Sequence, residues 1–284
     1  MDIDTRTQFC GVIGNPVGHS LSPAIHNAAF RTLRLNFVYL AWQVEAIGEA
    51  IKGLRALGNF RGASVTIPHK VAAIPFLDRV EQTAQRIGAI NTIVAEKGEL
   101  TGYNTDATGA LRALKMGGVA LTGKRIVVLG SGGAARAIAF ALAAESGAEK
   151  LTLLGIEDVE RTRLAQDIRS TTVVTVEDSY LDESTLRRVL PAAHILIHCT
   201  PVGMSPKVEA TCVPASLLHP DLAVMDIVYN PLETRLLKDA KHVGCKTIPG
   251  LEMFLNQAVA QFELWTNQPA PVDVMRQVLE SHFR

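Results

Sequence analysis

The sequence predicts an α/β protein made of two domains, each built on a β-sheet. Short apolar segments alternate with helical segments from residue 9 to residue 105, and the alternation resumes from residue 125 to residue 250. A strand-like run at residues 126–129 enters a glycine cluster, and an alanine-rich segment follows at once. The chain has 284 residues and is 48% hydrophobic, which allows two domains and a sizeable core.

The first half of the sequence predicts an α/β layer. Ser22 can cap a helix with Pro23 at its first position, and Ile47, Ile51 and Leu54 have the spacing of an amphipathic helix. The predicted strands cover residues 9–13, 37–43, 63–67 and 89–95. The predicted helices cover residues 24–33, 46–57 and 77–87.

The second half is typical of a doubly wound nucleotide-binding domain, since strands and helices alternate around the glycine cluster. The predicted strands cover residues 125–129, 151–154, 172–175, 194–198, 223–227 and 245–248. Two further helices are predicted at residues 251–263 and 271–279. We assign residues 1–105 to the first domain and residues 106–250 to the second.

Composition excludes several classes of protein. The 28 basic residues balance the 28 acidic ones, so we expect no nucleic-acid partner and no anionic membrane. No apolar run approaches the roughly 18 residues of a membrane helix, and the polar start lacks the features of a secretory signal. The four cysteines form no C-x-x-C pair, which favours a reduced cytoplasmic protein. Because H-E-x-x-H and Cys/His clusters are missing from the sequence, we expect no metal.

The glycine cluster has the G-x-G-x-x-A spacing of a dinucleotide-binding turn, with Gly130, Gly132 and Ala135 at the three positions. The first glycine permits the sharp turn, the second lets a pyrophosphate approach the backbone, and the small third residue lets helix and strand pack closely. Amides at the helix start would then face the phosphates. The alternative is a glycine-rich turn that binds nothing.

Three polar positions could carry chemistry, and each also has a structural interpretation. Lys70 follows a proline at a strand end, where it could stabilise a developing alkoxide or simply be a surface lysine. Asp106 could pair with Lys70 or cap the helix that begins near residue 107. Ser20 and Ser22 could grip a carboxylate, or Ser22 could only cap its helix.

Six motifs in order along the chain resemble the shikimate dehydrogenase family, including its quinate/shikimate branch, over roughly residues 9 to 270. They are Ser20-Leu21-Ser22-Pro23 with His26-Asn27, Ser64-Val65-Thr66-Ile67-Pro68-His69-Lys70, Gly88-Ala89-Ile90-Asn91-Thr92, Gly102-Tyr103-Asn104-Thr105-Asp106, the turn Gly130 to Ala135, and Gly250-Leu251-Glu252-Met253 with Gln257-Ala258.

The resemblance implies a substrate domain and a Rossmann-type doubly wound parallel sheet with a cleft between them, the last helices (residues 251–284) returning to the first domain. The implied reaction is hydride transfer between a nicotinamide and shikimate/3-dehydroshikimate, with quinate/3-dehydroquinate as a second implied pair. The substrate would be a hydroxylated cyclohexane or cyclohexene carboxylate, and the protein a monomer or homodimer. The alternatives are a paralogue acting on a related ring such as an aminoshikimate, and a non-catalytic nucleotide-sensing protein.

The resemblance also implies roles for individual residues. Lys70 and Asp106 would be the catalytic pair, and Ser20 and Ser22 would hold the substrate carboxylate. Further substrate contacts would come from Thr66, Asn91, Tyr229 and Gln257. The implied cofactor-binding residues are Gly130, Ser131, Gly132, Gly133, Ala134, Ala135, Thr200, Ile227 and Gly250. The position of Glu157 and Asp158 past a strand end adds these two carboxylates as expected ribose contacts.

The sequence departs from the family's usual residues in three places. Ser64 and His198 each stand where the family usually has Asn. After the second strand of the nucleotide domain, Ile156 and Glu160 replace the two arginines of the Asn-Arg-Thr-x-x-Arg segment that holds an NADP 2′-phosphate. Carboxylates at this strand end bind ribose hydroxyls and repel phosphate, so we expect NAD as cofactor, with NADP possible through Arg161 or Arg163.

Overall fold

The computed structural model describes residues 3–283, which divide into two compact units. The first unit contains residues 3–105 and 257–283, and the second contains residues 106–256. Over the same described range, no helix is both long and apolar enough to cross a membrane.

Strands and helices alternate along most of the chain. The strands are β1 Gln8–Gly14, β2 Phe37–Gln43, β3 Phe60–Val65, β4 Arg79–Val80, β5 Thr92–Glu96, β6 Glu99–Tyr103, β7 Arg125–Leu129, β8 Lys150–Gly155, β9 Thr175–Tyr180, β10 Ile195–His198, β11 Ala223–Asp226 and β12 Lys246–Ile248. The helices are α1 Ser22–Thr32, α2 Ile47–Arg55, α3 Gln82–Ile87, α4 Thr105–Met116, α5 Gly133–Glu145, α6 Asp158–Thr171, α7 Glu183–Val189, α8 Arg235–Val243, α9 Gly250–Thr266 and α10 Val272–His282.

The first unit contains a mixed six-stranded sheet in the order β2-β1-β3-β5-β6-β4. Its first three strands are parallel, whereas β5 runs antiparallel to both β3 and β6. The β5–β6 hairpin turns through Lys97 and Gly98, which both have positive φ, at 51° and 84°. Two such residues match the tight turn that suits the twist of a hairpin.

Helices cover the sheet of the first unit on both faces. Ile47 and Ile51 of α2 pack in an apolar cluster with Phe60 and other strand residues. A second cluster is aromatic: the ring of His26 stacks 4.5 Å from that of Tyr39, and Trp265 of α9 lies 5.2 Å from His26. The last turns of α9 thus return to the first sheet, which buries their aromatic side chains.

Two predicted elements differ in the structure. Residues 77–87 are not one helix, because β4 pairs with β6 at the sheet edge and α3 begins only after Glu81, whose carboxylate caps it. The strand predicted at residues 172–175 is instead β9, because α6 continues to Thr171 and the pairing with β8 starts at Thr175. Its alternating polar residues are typical of an edge strand rather than of a buried one.

The second unit contains an entirely parallel sheet in the order β12-β11-β10-β7-β8-β9. Its central strands are continuous apolar runs, as expected where helices cover both faces. The strand order reverses between β10 and β7, and ligands of such sheets bind beyond the carboxyl ends of the strands at this point. The two-domain α/β prediction is therefore confirmed.

Candidate functional site

A buried polar cluster in the first unit is centred on Asn91. Its side-chain oxygen accepts hydrogen bonds from the Thr105 amide at 2.7 Å and the Thr92 hydroxyl at 2.8 Å, and its side-chain nitrogen donates to the Thr105 hydroxyl at 3.0 Å. Asn104 donates to the carbonyl of Ala89. Asn91 therefore holds the segment that leads directly into α4.

A second buried chain of hydrogen bonds contains Tyr39 and Gln261, which the sequence did not indicate as site residues. The Tyr39 hydroxyl and the Ser64 hydroxyl lie 2.6 Å apart, and Ser64 donates to Gln261 at 2.8 Å. Gln261 in turn donates to the Thr92 hydroxyl at 3.0 Å. The available signal was the spacing of Gln257 and Gln261, which places both on one face of a helix. Ser64 is thus held by protein groups on both sides.

The serine pair lies at the start of α1, but Ser22 is not its cap. The helix begins at Ser22, and the preceding Leu21 makes no side-chain cap hydrogen bond. The Ser20 hydroxyl accepts the Ser22 amide at 3.3 Å. Ser22 is buried, whereas Ser20 is half-buried. Ser20 is accordingly the more accessible of the two.

Lys70 lies past the end of β3, as the sequence predicted, whereas Thr66 directly follows β3 because the strand ends at Val65 and not at residue 67. Both are half-buried, and the Thr66 amide donates to the carbonyl of Ile13. The Lys70 carbonyl accepts the Ile90 amide at 2.9 Å, which ties the backbone of Lys70 to the residue before Asn91. The backbone around Lys70 is therefore well anchored, independently of its side chain.

Asp106 lies in the first turn of α4 and Gln257 in the middle of α9, and both residues are buried. Asp106 is the second residue of α4, not the residue before it, so the interpretation of Asp106 as the helix cap is wrong. An acidic residue in a first helical turn still interacts favourably with the helix dipole. Gln257 lies in α9, one helical turn before Gln261.

The glycine turn of the second unit connects β7 to α5 as predicted. Gly130 has φ of 106°, and a Cβ there would lie 3.1 Å from the carbonyl oxygen of Cys199. A Cβ on Gly132 or Gly133 would meet no atom within 4 Å, and both residues are exposed. No side chain caps α5, so its first amides are available to an anion. Ala135 is fully buried.

Three further segments reach the carboxyl edge of the same sheet. Thr200 follows β10, and its methyl lies 3.4 Å from the Cβ position of Gly130. Ile227 follows β11, and its carbonyl oxygen leaves only 2.5 Å to a Cβ on Gly250, which requires glycine there. Tyr229 is half-buried against Phe254, with ring centroids 4.8 Å apart, and burial raises the pKa of its hydroxyl.

Glu157, Asp158 and Arg161 lie at the end of β8 and the start of α6. Glu157 is exposed and makes no side-chain cap hydrogen bond. The Arg161 guanidinium is buried, and it donates to the Gly155 carbonyl at 3.0 Å, to Asp158 at 2.6 Å and to Asp178 at 3.3 Å. Arg161 is thus engaged by protein acceptors at three points.

The glycine turn permits a direct test, because Gly132 has backbone angles that alanine adopts readily, with φ of −68°. Gly132→Ala should leave the thermal unfolding midpoint unchanged and weaken dinucleotide binding by at least about tenfold, or 1.4 kcal/mol, since its methyl occupies the space where phosphates approach the backbone. Fluorescence titration with NADH and NADPH measures the affinity.

Gly53→Ala is the matched control, because Gly53 is exposed in α2 and a Cβ there also meets no atom within 4 Å. This control should bind dinucleotide as the unsubstituted protein does, with stability raised by about 0.5–1 kcal/mol. Unchanged affinity in Gly132→Ala would show that the turn is not a dinucleotide site.

Comparisons with known proteins agree with this architecture. A family model described as "Shikimate dehydrogenase substrate binding domain" matches residues 12–93, and one described as "Shikimate 5'-dehydrogenase C-terminal domain" matches residues 250–280. Shikimate dehydrogenase (NADP(+)) of Moorella thermoacetica is 46% identical over 281 residues, which cover 98% of this chain and 95% of that relative.

Two solved structures are similar over nearly their whole length. Shikimate 5-dehydrogenase from Listeria monocytogenes, solved with shikimate and NAD, has a TM-score of 0.93 at 37% identity and covers 98% of both chains. Quinate dehydrogenase from Corynebacterium glutamicum, solved with NAD, has a TM-score of 0.90 at 31% identity and covers 97% of this chain and 99% of its own.

Proposed function

The chain belongs to the shikimate dehydrogenase family of oxidoreductases, and we propose that it interconverts shikimate and 3-dehydroshikimate with a nicotinamide dinucleotide. The observation that carries this proposal is the exposed backbone of Gly132 and Gly133 at the reversal point of a parallel sheet. A side chain at either glycine would fill space that the protein itself leaves open, so the turn fits a pyrophosphate.

The second unit supplies the cofactor-binding residues in this proposal. Gly130 to Ala135 hold the pyrophosphate, Glu157 and Asp158 bind the ribose hydroxyls, and Thr200, Ile227 and Gly250 border the rest of the dinucleotide. The nicotinamide supplies the hydride chemistry when bound, and the protein positions and polarises the reactants.

The first unit supplies most of the substrate residues. Ser20 and Ser22 bind the carboxylate, with Ser20 making the freer contact because Ser22 is buried. Thr66, Asn91 and Gln257 bind ring hydroxyls, and Tyr229 is a further substrate contact by the family's motifs. Hydroxyl and amide groups of this kind discriminate strongly against analogues that lack the matching hydroxyl.

Lys70 stabilises the charge that develops in the reaction, and Asp106 orients the substrate. The Lys70 ammonium donates a hydrogen bond to the oxygen on the reacting ring carbon, which stabilises the negative charge that develops there. Asp106 accepts hydrogen bonds from the ring hydroxyls and so orients the substrate.

The ring specificity depends on Ser64, which is shorter than the Asn usual in the family and is held by Tyr39 and Gln261. Quinate is therefore a second substrate to test. Purified protein should reduce NAD or NADP with shikimate, as followed by the absorbance of the reduced nicotinamide. Cofactor binding without turnover of either ring would favour the nucleotide-sensing alternative, and turnover of an aminoshikimate alone would favour the paralogue.

NAD is the preferred cofactor in this proposal. Glu157 puts negative charge where the 2′-phosphate of NADP would lie, whereas the charge of Asp158 is offset by its ion pair with Arg161 at 2.6 Å. Like charges placed together disfavour binding of the phosphate. Arg161 is already engaged by Asp158, Asp178 and a carbonyl oxygen, so it is a poor candidate for a phosphate clamp. The Moorella relative is named for NADP(+), whereas the Listeria structure was solved with NAD, so cofactor choice varies among similar proteins.

The cofactor choice can be reversed by restoring the family's residues. The double variant Ile156→Arg with Glu157→Thr should move the ratio of kcat/KM for NAD and NADP at least tenfold toward NADP, equal to about 1.4 kcal/mol. Both side chains are exposed, so the fold should be unaffected. Arg163→Ala serves as the control, since Arg163 is exposed on α6, and it should leave the ratio unchanged. Higher efficiency with NADP in the unsubstituted protein would contradict the preference for NAD.

A further inference from the structure

A buried histidine and aspartate lie within hydrogen-bonding distance of each other at the carboxyl edge of the second sheet. His198 ends β10 and Asp226 ends β11, and the two are direct partners in the strand register. The His198 Nδ1 atom lies 2.9 Å from the Asp226 Oδ1 atom, with side chains 2% and 0% exposed. Pairs of this kind need further hydrogen bonds to offset the loss of water around them.

The surrounding groups supply those hydrogen bonds. Asp226 also accepts the Val228 amide at 3.0 Å and the Thr234 hydroxyl at 2.6 Å. Because three donors converge on this carboxylate, Nδ1 of His198 is the protonated nitrogen that faces it. The remaining ring nitrogen, Nε2, lies 2.5 Å from the Thr200 hydroxyl oxygen.

Thr200 connects His198 to the loop that follows β10. Its hydroxyl oxygen also accepts the Val202 amide at 3.2 Å, and its methyl lies beside Gly130 of the dinucleotide turn. The His198 carbonyl accepts the Ile227 amide at 3.0 Å. His198 therefore anchors the segment after β10 through Thr200 and the segment after β11 through Ile227.

The charge on His198 decides which way the Thr200 hydroxyl hydrogen points. An imidazolium donates from both nitrogens, so the Thr200 oxygen accepts and its hydrogen is free for another acceptor. A neutral ring with its hydrogen on Nδ1 instead accepts that hydrogen at Nε2.

We infer that His198 is a positioning residue, which holds the 199–204 loop in place and directs the Thr200 hydroxyl hydrogen outward as a donor to the bound dinucleotide. This inference rests on the proposed nicotinamide cofactor. Asn, the usual residue at this position, cannot change its charge with pH, so a chain with Asn there lacks this pH-dependent arrangement.

The affinity for cofactor should then depend on pH. Burial lowers the pKa of His198, but hydrogen bonds with Asp226 and the Cys212 thiol raise it to about 9. The other titratable neighbour is Cys199, whose thiol pKa is raised by burial and by the Asp226 charge. His198 is thus charged at neutral pH and loses its charge as the pH rises through about 9.

Titration of NADH and NADPH by nicotinamide fluorescence tests the inference. Between about pH 7 and about pH 10 the Kd of the unsubstituted protein should rise about fourfold, because the charged fraction of His198 falls to about one tenth and the neutral form lacks one hydrogen bond worth about fivefold in affinity. In His198→Asn the Kd should be about fivefold weaker at neutral pH, the effect of one hydrogen bond, and independent of pH. Its KM for cofactor should rise while kcat changes less than about twofold.

His242→Asn is the matched control, because His242 is exposed near the end of α8 and should leave the pH profile unchanged. A rise in Kd for His198→Asn equal to that of the unsubstituted protein would overturn the inference while leaving the proposed function intact. Failure of the unsubstituted protein to bind either dinucleotide would overturn both.

Discussion

Lys70→Ala is expected to lower kcat by about a hundred- to a thousandfold, or about 2.7–4 kcal/mol, while the fold and cofactor affinity are kept. In the proposed mechanism the Lys70 ammonium stabilises the developing negative charge on the ring oxygen, and alanine removes that ammonium. The fold should survive because the carbonyl of residue 70, which accepts the Ile90 amide, is unchanged by the substitution.

Steady-state kinetics with shikimate, a thermal unfolding midpoint and a cofactor titration measure the three expected properties of Lys70→Ala. Lys52→Ala is the matched control, since Lys52 is exposed and pairs only with the exposed Glu49 on the same helix. Lys70→Arg keeps the charge but changes its shape, so it should restore turnover only in part. Near-native kcat in Lys70→Ala would exclude a catalytic role.

Asp226→Ala is expected to lower the free energy of unfolding by at least about 5 kcal/mol, of which about 3–5 kcal/mol arises because it leaves His198 buried without its partner. The substitution also removes the acceptor of the Val228 amide and of the Thr234 hydroxyl, which caps α8. These two donors add about 1–3 kcal/mol each to the cost of the broken pair, so the total loss is expected to be at least about 5 kcal/mol.

Urea unfolding at neutral pH measures the loss, with Asp239→Ala as the matched control. Asp239 pairs with Arg235 one turn away on α8, where Arg235 is largely exposed, so this control should cost only about 0.3–0.5 kcal/mol. A loss of similar size in the two variants would contradict the energetic role assigned to the His198–Asp226 pair.

The difference in unfolding free energy between the unsubstituted protein and Asp226→Ala should also depend on pH. The folded-state pKa of His198, about 9, lies above its ordinary value of 6.5. Its contribution to stability is therefore fully present below about pH 6.5 and is lost as the pH rises through about 9. Asp226→Ala lacks this contribution, so its deficit should be smaller at about pH 10 than at about pH 7.

Much of the site was predictable because its signals are local. The position of Lys70 past a strand end follows from the proline beside it, and the glycine turn follows from three residues within six positions. The identity of Asp106 was available too, but its place inside α4 was not, since the start of a helix depends on neighbours such as Asn91 that bind the preceding backbone.

The fold class, the order of elements in the second unit and the family follow from local features of the chain, because periodic apolar runs and short motifs are properties of neighbouring residues. Other features became visible only in the folded chain: β5 is antiparallel, Arg161 binds Asp178, and Ser64 binds Gln261, 197 positions away. The same holds for the His198–Asp226 pair, whose residues lie 28 positions apart on adjacent strands. Such contacts depend on the register of the strands and on the packing of α9 against the first sheet. Long-range packing determines both, and the spacing of neighbouring residues does not.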